Sequence, residues 1–252
     1  MWIVHRILRT GYAVAAQTGV FSTSAGQAAY EFLYERFKLS MERGSIADLS
    51  KHIVQGSLVI DVGANIGIYT NVFKNSLGNT GKVIAIEADP TNAASLRRRF
   101  SSESRVDVIE SAASDRSGTC RLQQDPYNPA GHVLGANGIE VTSVTIDELV
   151  SRYALPISLM KIDVEGAEPL VIRGASNSIK KYMPAIYIEY SPDRITKLGG
   201  NPSELLASLR EFGYQFFVKD WSQPLSIEEV NQKALKKEYV DILLLSKPVN
   251  QE

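Results

Sequence analysis

Cysteine is nearly absent from the 252 residues: Cys120 stands alone, so no internal disulfide can form and the core must hold the fold. That usage fits a reducing compartment, and the cytoplasm is the expected location. Long apolar runs are missing too. None reaches the roughly 18 residues that a membrane-spanning helix needs. Excess charge of one sign is also lacking, with 27 Lys and Arg against 28 Asp and Glu and a net charge of −1. This excludes the basic surface of a dedicated nucleic-acid binder. What is present is ordinary globular material, 44% hydrophobic and 22% charged, which excludes a disordered or collagen-like chain. The length suits one enlarged domain, or a domain with an extension.

Residues 1–56 read as a helical extension. In its first 21 residues Trp2, Ile3, Val4, Ile7 and Leu8 sit beside His5, Arg6 and Arg9. A signal peptide fits poorly, because Gln17, Thr18 and Gly19 interrupt the apolar stretch. A basic amphipathic helix contacting a membrane surface is a second reading. A helix packed on the domain or on a partner subunit is the third and the plainest. From Ala28 to Met41, Phe32, Leu33, Phe37 and Leu39 are spaced for one helical face.

From residue 57 short β-branched runs alternate with helical stretches. Strands are expected at 57–61, 82–87, 106–110, 159–163 and 186–190, with helices at 68–75, 91–100, from about 168, and at 203–212. Such alternation implies a parallel sheet covered on both faces. Two later runs, 214–219 and 239–246, are suited to a terminal antiparallel pair. The domain spans 57–247, leaving 248–252 as a tail. One segment, 116–157, breaks the rhythm with two strand-like runs, 119–123 and 141–146, around a Gly/Asn/Pro-rich stretch. A structureless loop of that length is improbable unless it is functional, so it reads as two added strands and a loop.

Asp61-Val62-Gly63-Ala64-Asn65-Ile66-Gly67 follows the first strand and opens a helix. Glycines there let a ligand approach the backbone, and the helix start offers free N–H donors. Glu87 ends the second strand, where a carboxylate can accept hydrogen bonds from both hydroxyls of a ribose. Together they point to a nucleoside-bearing cofactor. A nicotinamide site wants G-x-G-x-x-G, but Asn65 and Ile68 occupy the second and third glycine positions, and no P-loop occurs. A site without a pyrophosphate cradle suits S-adenosylmethionine; the plain alternative is that the glycines only permit a tight turn.

With the Glu87-Ala88-Asp89-Pro90 strand end, Ala112-Ala113-Ser114-Asp115, and above all Lys161-Ile162-Asp163-Val164-Glu165-Gly166-Ala167-Glu168, the chain resembles FkbM-type methyltransferases over residues 56–220. The resemblance implies a Rossmann-like class I methyltransferase fold with a mostly parallel seven-stranded sheet. It also implies S-adenosylmethionine-dependent O-methylation, often of sugar or natural-product hydroxyls. By the same resemblance Asp61, Gly63 and Asn65 line the methionine end and Gly67 completes the turn. Glu87 then holds the ribose, and Ser111 and Ala112 pass beside the adenine.

Asp163, Glu165 and Glu168 cluster at the fourth strand's end. They could meet the cofactor's cationic groups, act as a base or ligate a hard cation, or simply offset a helix dipole. Dipole compensation suits Glu168 best, while Asp163, at the cofactor edge, is expected to be functional. No His/Cys set accompanies these carboxylates, so metal independence is expected. Of three histidines, His132 lies in the insertion, which is read as a lid over the acceptor. His132 and Glu189 are therefore the candidate bases beside Asp163. Arg97, Arg98 and Arg99 read as a solvated helix face. The expected partner is a small-molecule or glycan acceptor. Competing functions are an NAD-dependent oxidoreductase and a non-catalytic cofactor-binding module.

Overall fold

The computed structural model describes residues 24–124, 131–218 and 222–246. The basic segment at 1–21 lies outside them. Two helices, α1 (Ser24–Met41) and α2 (Arg43–Ser50), precede the sheet. Ile46 and Leu49 of α2 are buried, and Leu39 of α1 packs against the same apolar cluster. Phe32 and Leu33, however, are exposed, so the expected face of α1 meets the domain only near its C-terminal end. Phe32 and Leu39 are two turns, about 10 Å, apart, and the cluster under α1 is reached by the later residue. The side chain of Phe37 is outside the described set.

The main sheet has the order β10-β11-β9-β8-β1-β2-β3. Its strands are β1 (Leu58–Val62), β2 (Lys82–Glu87), β3 (Val106–Glu110), β8 (Ile157–Ile162), β9 (Ala185–Tyr190), β10 (Tyr214–Val218) and β11 (Val240–Ser246). All neighbouring pairs are parallel except those of β11, which runs antiparallel to both β9 and β10. The expected terminal antiparallel pair is thus β10–β11. All five residues of β1 are buried, as a central parallel strand requires when helices cover both faces. Helices α3 (Ile68–Ser76), α4 (Pro90–Arg99), α6 (Glu168–Gly174), α7 (Ser176–Tyr182), α8 (Pro192–Lys197), α9 (Pro202–Glu211) and α10 (Ile227–Leu235) supply those layers. The chain leaves β1 towards β2 on one side, while β8 and β9 lie on the other. The order therefore reverses between β1 and β8, the place where open α/β sheets bind ligands at their carboxyl ends.

The insertion folds as a second sheet of order β4-β7-β5-β6, from β4 (Ala112–Ala113), β5 (Gly118–Gln123), β6 (Val133–Leu134) and β7 (Ile139–Val144). Two of these strands were anticipated; β4 and β6 are too short to carry a pattern. The run expected to continue through Ile146 stops at Val144, because Thr145 caps a short helix, α5 (Ile146–Val150), by accepting from Glu148 N–H. Leu122, Val141 and Ala112 form a small core with Ala88, which fastens the second sheet to the end of β2.

Candidate active site

The cavity opens at the carboxyl ends of β2, β1 and β8, with walls from the second sheet and from α1. Its floor is the glycine turn. Gly63 has φ +73°, and a Cβ there would lie 1.9 Å from the backbone oxygen of Asp163. Only glycine lets the turns after β1 and β8 press together in this way. Asn65 is also left-handed, with φ 50°, and its Oδ1 accepts from Ile66 N–H at 2.7 Å. Gly67 does not line the cavity. It caps α3 in a left-handed conformation, and its missing Cβ makes room for Leu96 and Phe100.

Glu87 is buried at the rim of this turn and lines the cavity. One carboxylate oxygen accepts from Asn65 N–H at 2.7 Å and the other from Asp89 N–H at 2.8 Å. A carboxylate has about four acceptor positions, so each oxygen keeps one for a ligand. That is the arrangement a vicinal diol fits. Burial pushes the Glu87 carboxyl up to about 7 despite the two backbone donors. An ionised, ligand-bound Glu87 therefore belongs to neutral and alkaline pH.

Asp61 also differs from expectation. It is fully buried behind the cavity wall, where Thr70 Oγ1 donates to its Oδ2 at 2.6 Å. Its contact with the cavity runs through Lys161, the residue opposite it in the β1–β8 register. Lys161 Nζ lies 3.6 Å from Asp61 and 3.3 Å from Asp163, and donates to the carbonyl of Gly63 at 3.3 Å. Burial opposes its charge, but the two carboxylates outweigh that and raise its pKa. Asp163 shows the mirror case. Burial would raise its carboxyl, yet Lys161, Lys38 and Arg194 hold it low. Lys161 was missed in the sequence because a lone lysine within an apolar strand reads as an interruption.

On the β8–β9 side, Arg194 of α8 bridges Glu165 and Glu189, pairing with Glu165 and donating to Glu189 at 2.7 Å. Asp163, Glu165 and Glu189 bring carboxylate oxygens within 4.8 Å of one another, and the guanidinium already supplies a counter-charge to two of them. Asp163 and Glu165 line the cavity, whereas Glu189 does not. Burial raises both glutamates, Glu165 to about 7 and Glu189 well above its ordinary value. Glu168 closes the turn after β8 by accepting from Val164 and Gly166 N–H groups, and burial lifts it to about 7.

His132 lies on the opposite side. It lines the cavity, 3.7 Å from the Asp89 carboxylate at the β2 end, where Gln124 also donates to Asp89. Ser111 and Ala112 lie on that side too and line the cavity. The structure thus gathers Glu87, Ser111, Ala112 and His132 towards β2 and β3, and separates them from Asp163 and Glu189 at β8 and β9. The sheet of the insertion, read as a lid over the acceptor, walls the β2–β3 side of the cavity. From the extension, Lys38 of α1 lines the cavity and sits 6.0 Å from the centre of the Tyr69 ring. Arg99 pairs with Glu35 of α1 at 2.5 Å and Arg97 with Glu110, so these arginines tie elements together and are not merely solvated.

The domain family described as Methyltransferase FkbM domain matches residues 61–216. Among solved structures the chain is similar to the methyltransferase FkbM of Methylobacillus flagellatus KT, at 17% identity and a TM-score of 0.48. That match covers 92% of this chain but only 58% of the other, so the chain spans under two thirds of that relative's length. It is also similar to a SAM-dependent O-methyltransferase from Thermotoga maritima (12% identity, 82% and 66% of the two chains, TM-score 0.43). A third likeness is to Aeropyrum pernix fibrillarin with natively bound S-adenosyl-L-methionine (10% identity, 76% and 67%, TM-score 0.43). None of these reaches a TM-score of 0.5, and the family assignment rests on the domain match. No curated protein sequence matches the chain.

Proposed function

Since the chain belongs to the FkbM methyltransferase family, we propose that it uses S-adenosylmethionine to O-methylate a hydroxyl of a sugar, glycan or natural product. The observation that carries the cofactor reading is Glu87. Its two oxygens are each anchored by one backbone donor and each keep an acceptor position toward the cavity, beside a turn without a pyrophosphate cradle. An NAD-dependent oxidoreductase is disfavoured by Asn65 and Ile68.

In this reading Glu87 receives the ribose hydroxyls, and Ala112, Leu134 and His132 wall the base. Gly63 and Asp163 border the methionine end. The donor supplies an already activated methyl group. The acceptor oxygen forms the new O–C bond, the S–C bond breaks with its electron pair left on sulfur, and the hydroxyl proton passes to solvent or to a carboxylate at the β8 end. The protein's task is alignment and water exclusion. The mouth near Asp163, Glu165 and Glu189 is rich in acceptors that can hold neutral hydroxyls. Incubating a cell extract with the protein and isotope-labelled donor, followed by mass spectrometry, tests the assignment. Labelled ethers of hydroxyl compounds are expected. Label on nitrogen or carbon only, or calorimetric binding of NAD without S-adenosylmethionine, would refute it.

A further inference from the structure

Lys161 is a buried cation on the cavity wall to which alignment of donor and acceptor assigns no task. An ammonium in that position is costly unless it is paired, and here it is paired twice. Asp61 on one side is fully buried, fixed by Thr70, and has an Oδ1 that accepts no hydrogen bond among the described residues. Asp163 on the other side is partly open, with 22% of its side chain exposed. The Tyr69 ring centre lies 5.1 Å from the ammonium. Of the three charged groups, Lys161 and Asp163 line the cavity and Asp61 does not. Asp61 is sealed behind Lys161, so Asp163 is the carboxylate of the pair that meets the cavity. Lys161 is no candidate base, since its two neighbours keep it protonated.

We propose that Lys161 is a positioning residue that fixes the Asp163 carboxylate toward the sulfonium of the donor, and so biases the site toward the cationic donor over the uncharged thioether product. The proposal rests on the S-adenosylmethionine reading. In a low-dielectric cavity a carboxylate distinguishes strongly between a cation and a neutral sulfur. An immobile carboxylate does so without paying for reorganisation at each turnover. The same bias favours release of the product once the methyl group has left.

The test is calorimetric binding of S-adenosylmethionine and S-adenosylhomocysteine to the wild type, Lys161→Met, Lys161→Arg and Asp163→Asn, from about pH 6 to 9. The informative quantity is the ratio of the two dissociation constants. Glu87 meets the ribose of both ligands, so its titration cancels from the ratio. The groups that do not cancel face the triad: Lys38 and Glu42 from α1, Glu165, Glu189 and Arg194 beside Asp163, and Asp241 of β11. They are unchanged in every variant.

Lys161→Met should shift the ratio toward the product by about tenfold near neutral pH. Lys161→Arg should keep the wild-type ratio. Asp163→Asn should reproduce the shift, and it keeps the question answerable if Lys161→Met does not fold. An unchanged ratio in folded Lys161→Met or in Asp163→Asn overturns the proposal. So does equal weakening of both ligands, which is the sign of a merely structural lysine. If neither ligand binds the wild type, the cofactor reading itself fails, and this inference falls with it.

Discussion

Gly63, in the turn after β1, and Glu87, at the end of β2, carry opposite kinds of constraint. At Gly63 it is steric: the left-handed backbone would cost an L-residue roughly 1–2 kcal/mol, and the added Cβ would overlap the Asp163 carbonyl. Gly63→Ala should therefore lose more than about 2 kcal/mol of stability, read as a fall in denaturation midpoint, together with donor binding. At Glu87 the constraint is electrostatic. Hydrogen bonds to a charged group are worth about 1.5–3 kcal/mol, so Glu87→Gln should weaken donor binding by about ten- to a hundredfold. A Gln amide would also point a donor at one of the backbone N–H groups that the carboxylate now accepts from. Calorimetry on the folded variant measures this, and unchanged affinity would remove Glu87 from the ribose. The turn and Glu87 were both readable from residue type and spacing, because they depend on local chain geometry at adjacent strand ends.

At the scale of elements, the second sheet and α8 stand at opposite ends of the cavity. His132 reaches it beside Asp89, on the side of β2 and β3. His132→Ala should therefore raise the dissociation constant of the donor severalfold while leaving turnover at saturating donor nearly unchanged. A collapse of kcat with intact donor affinity would return His132 to the role of base. The sequence suggested that role because a titratable residue in a long insertion looks mobile and catalytic. Its actual position depends on Asp89, far away in sequence, and on the small core that pins the insertion to Ala88. At the other end, Arg194 holds Glu165 and Glu189 together. Arg194→Met should cost more near pH 8 than near pH 5, because burial already raises both carboxyls and the guanidinium is what favours their ionised forms. Melting curves at the two pH values check the sign. With the guanidinium already in place, exhaustive chelation should leave methyl transfer intact. Activity lost to the chelator and restored by magnesium would show that a cation is required there.

For the whole molecule the buried acids set the pH response. Glu87, Glu165 and Glu168 are lifted to about 7 and Asp241 to about 6, in each case by burial first. A carboxyl whose pKa is higher in the folded than in the unfolded chain binds extra protons on folding. Its stabilising contribution is complete below the unfolded value near 4.5 and is lost as pH rises through about 7. The ligand-free protein should accordingly melt lower at pH 8 than at pH 5.5, and a flat or rising profile over that interval would contradict these environments. Donor binding should offset part of the loss at pH 8, since it uses the ionised form of Glu87.

The sequence alone determined the alternation of strands and helices, the terminal β10–β11 pair, the glycine turn with its acidic partner, and the family. These follow from periodicity, from steric demands at glycines, and from short motifs, all of which act over a few consecutive residues. Only the tertiary structure decided which charges meet. The register of β1 with β8 set Lys161 between Asp61 and Asp163, and the small core under the insertion carried His132 to Asp89. It also brought Lys38 of the extension into the cavity wall and left Gly67 and Asp61 out of the lining. Those outcomes depend on pairing and packing between segments distant in the chain, and a linear pattern holds no measure of such distances.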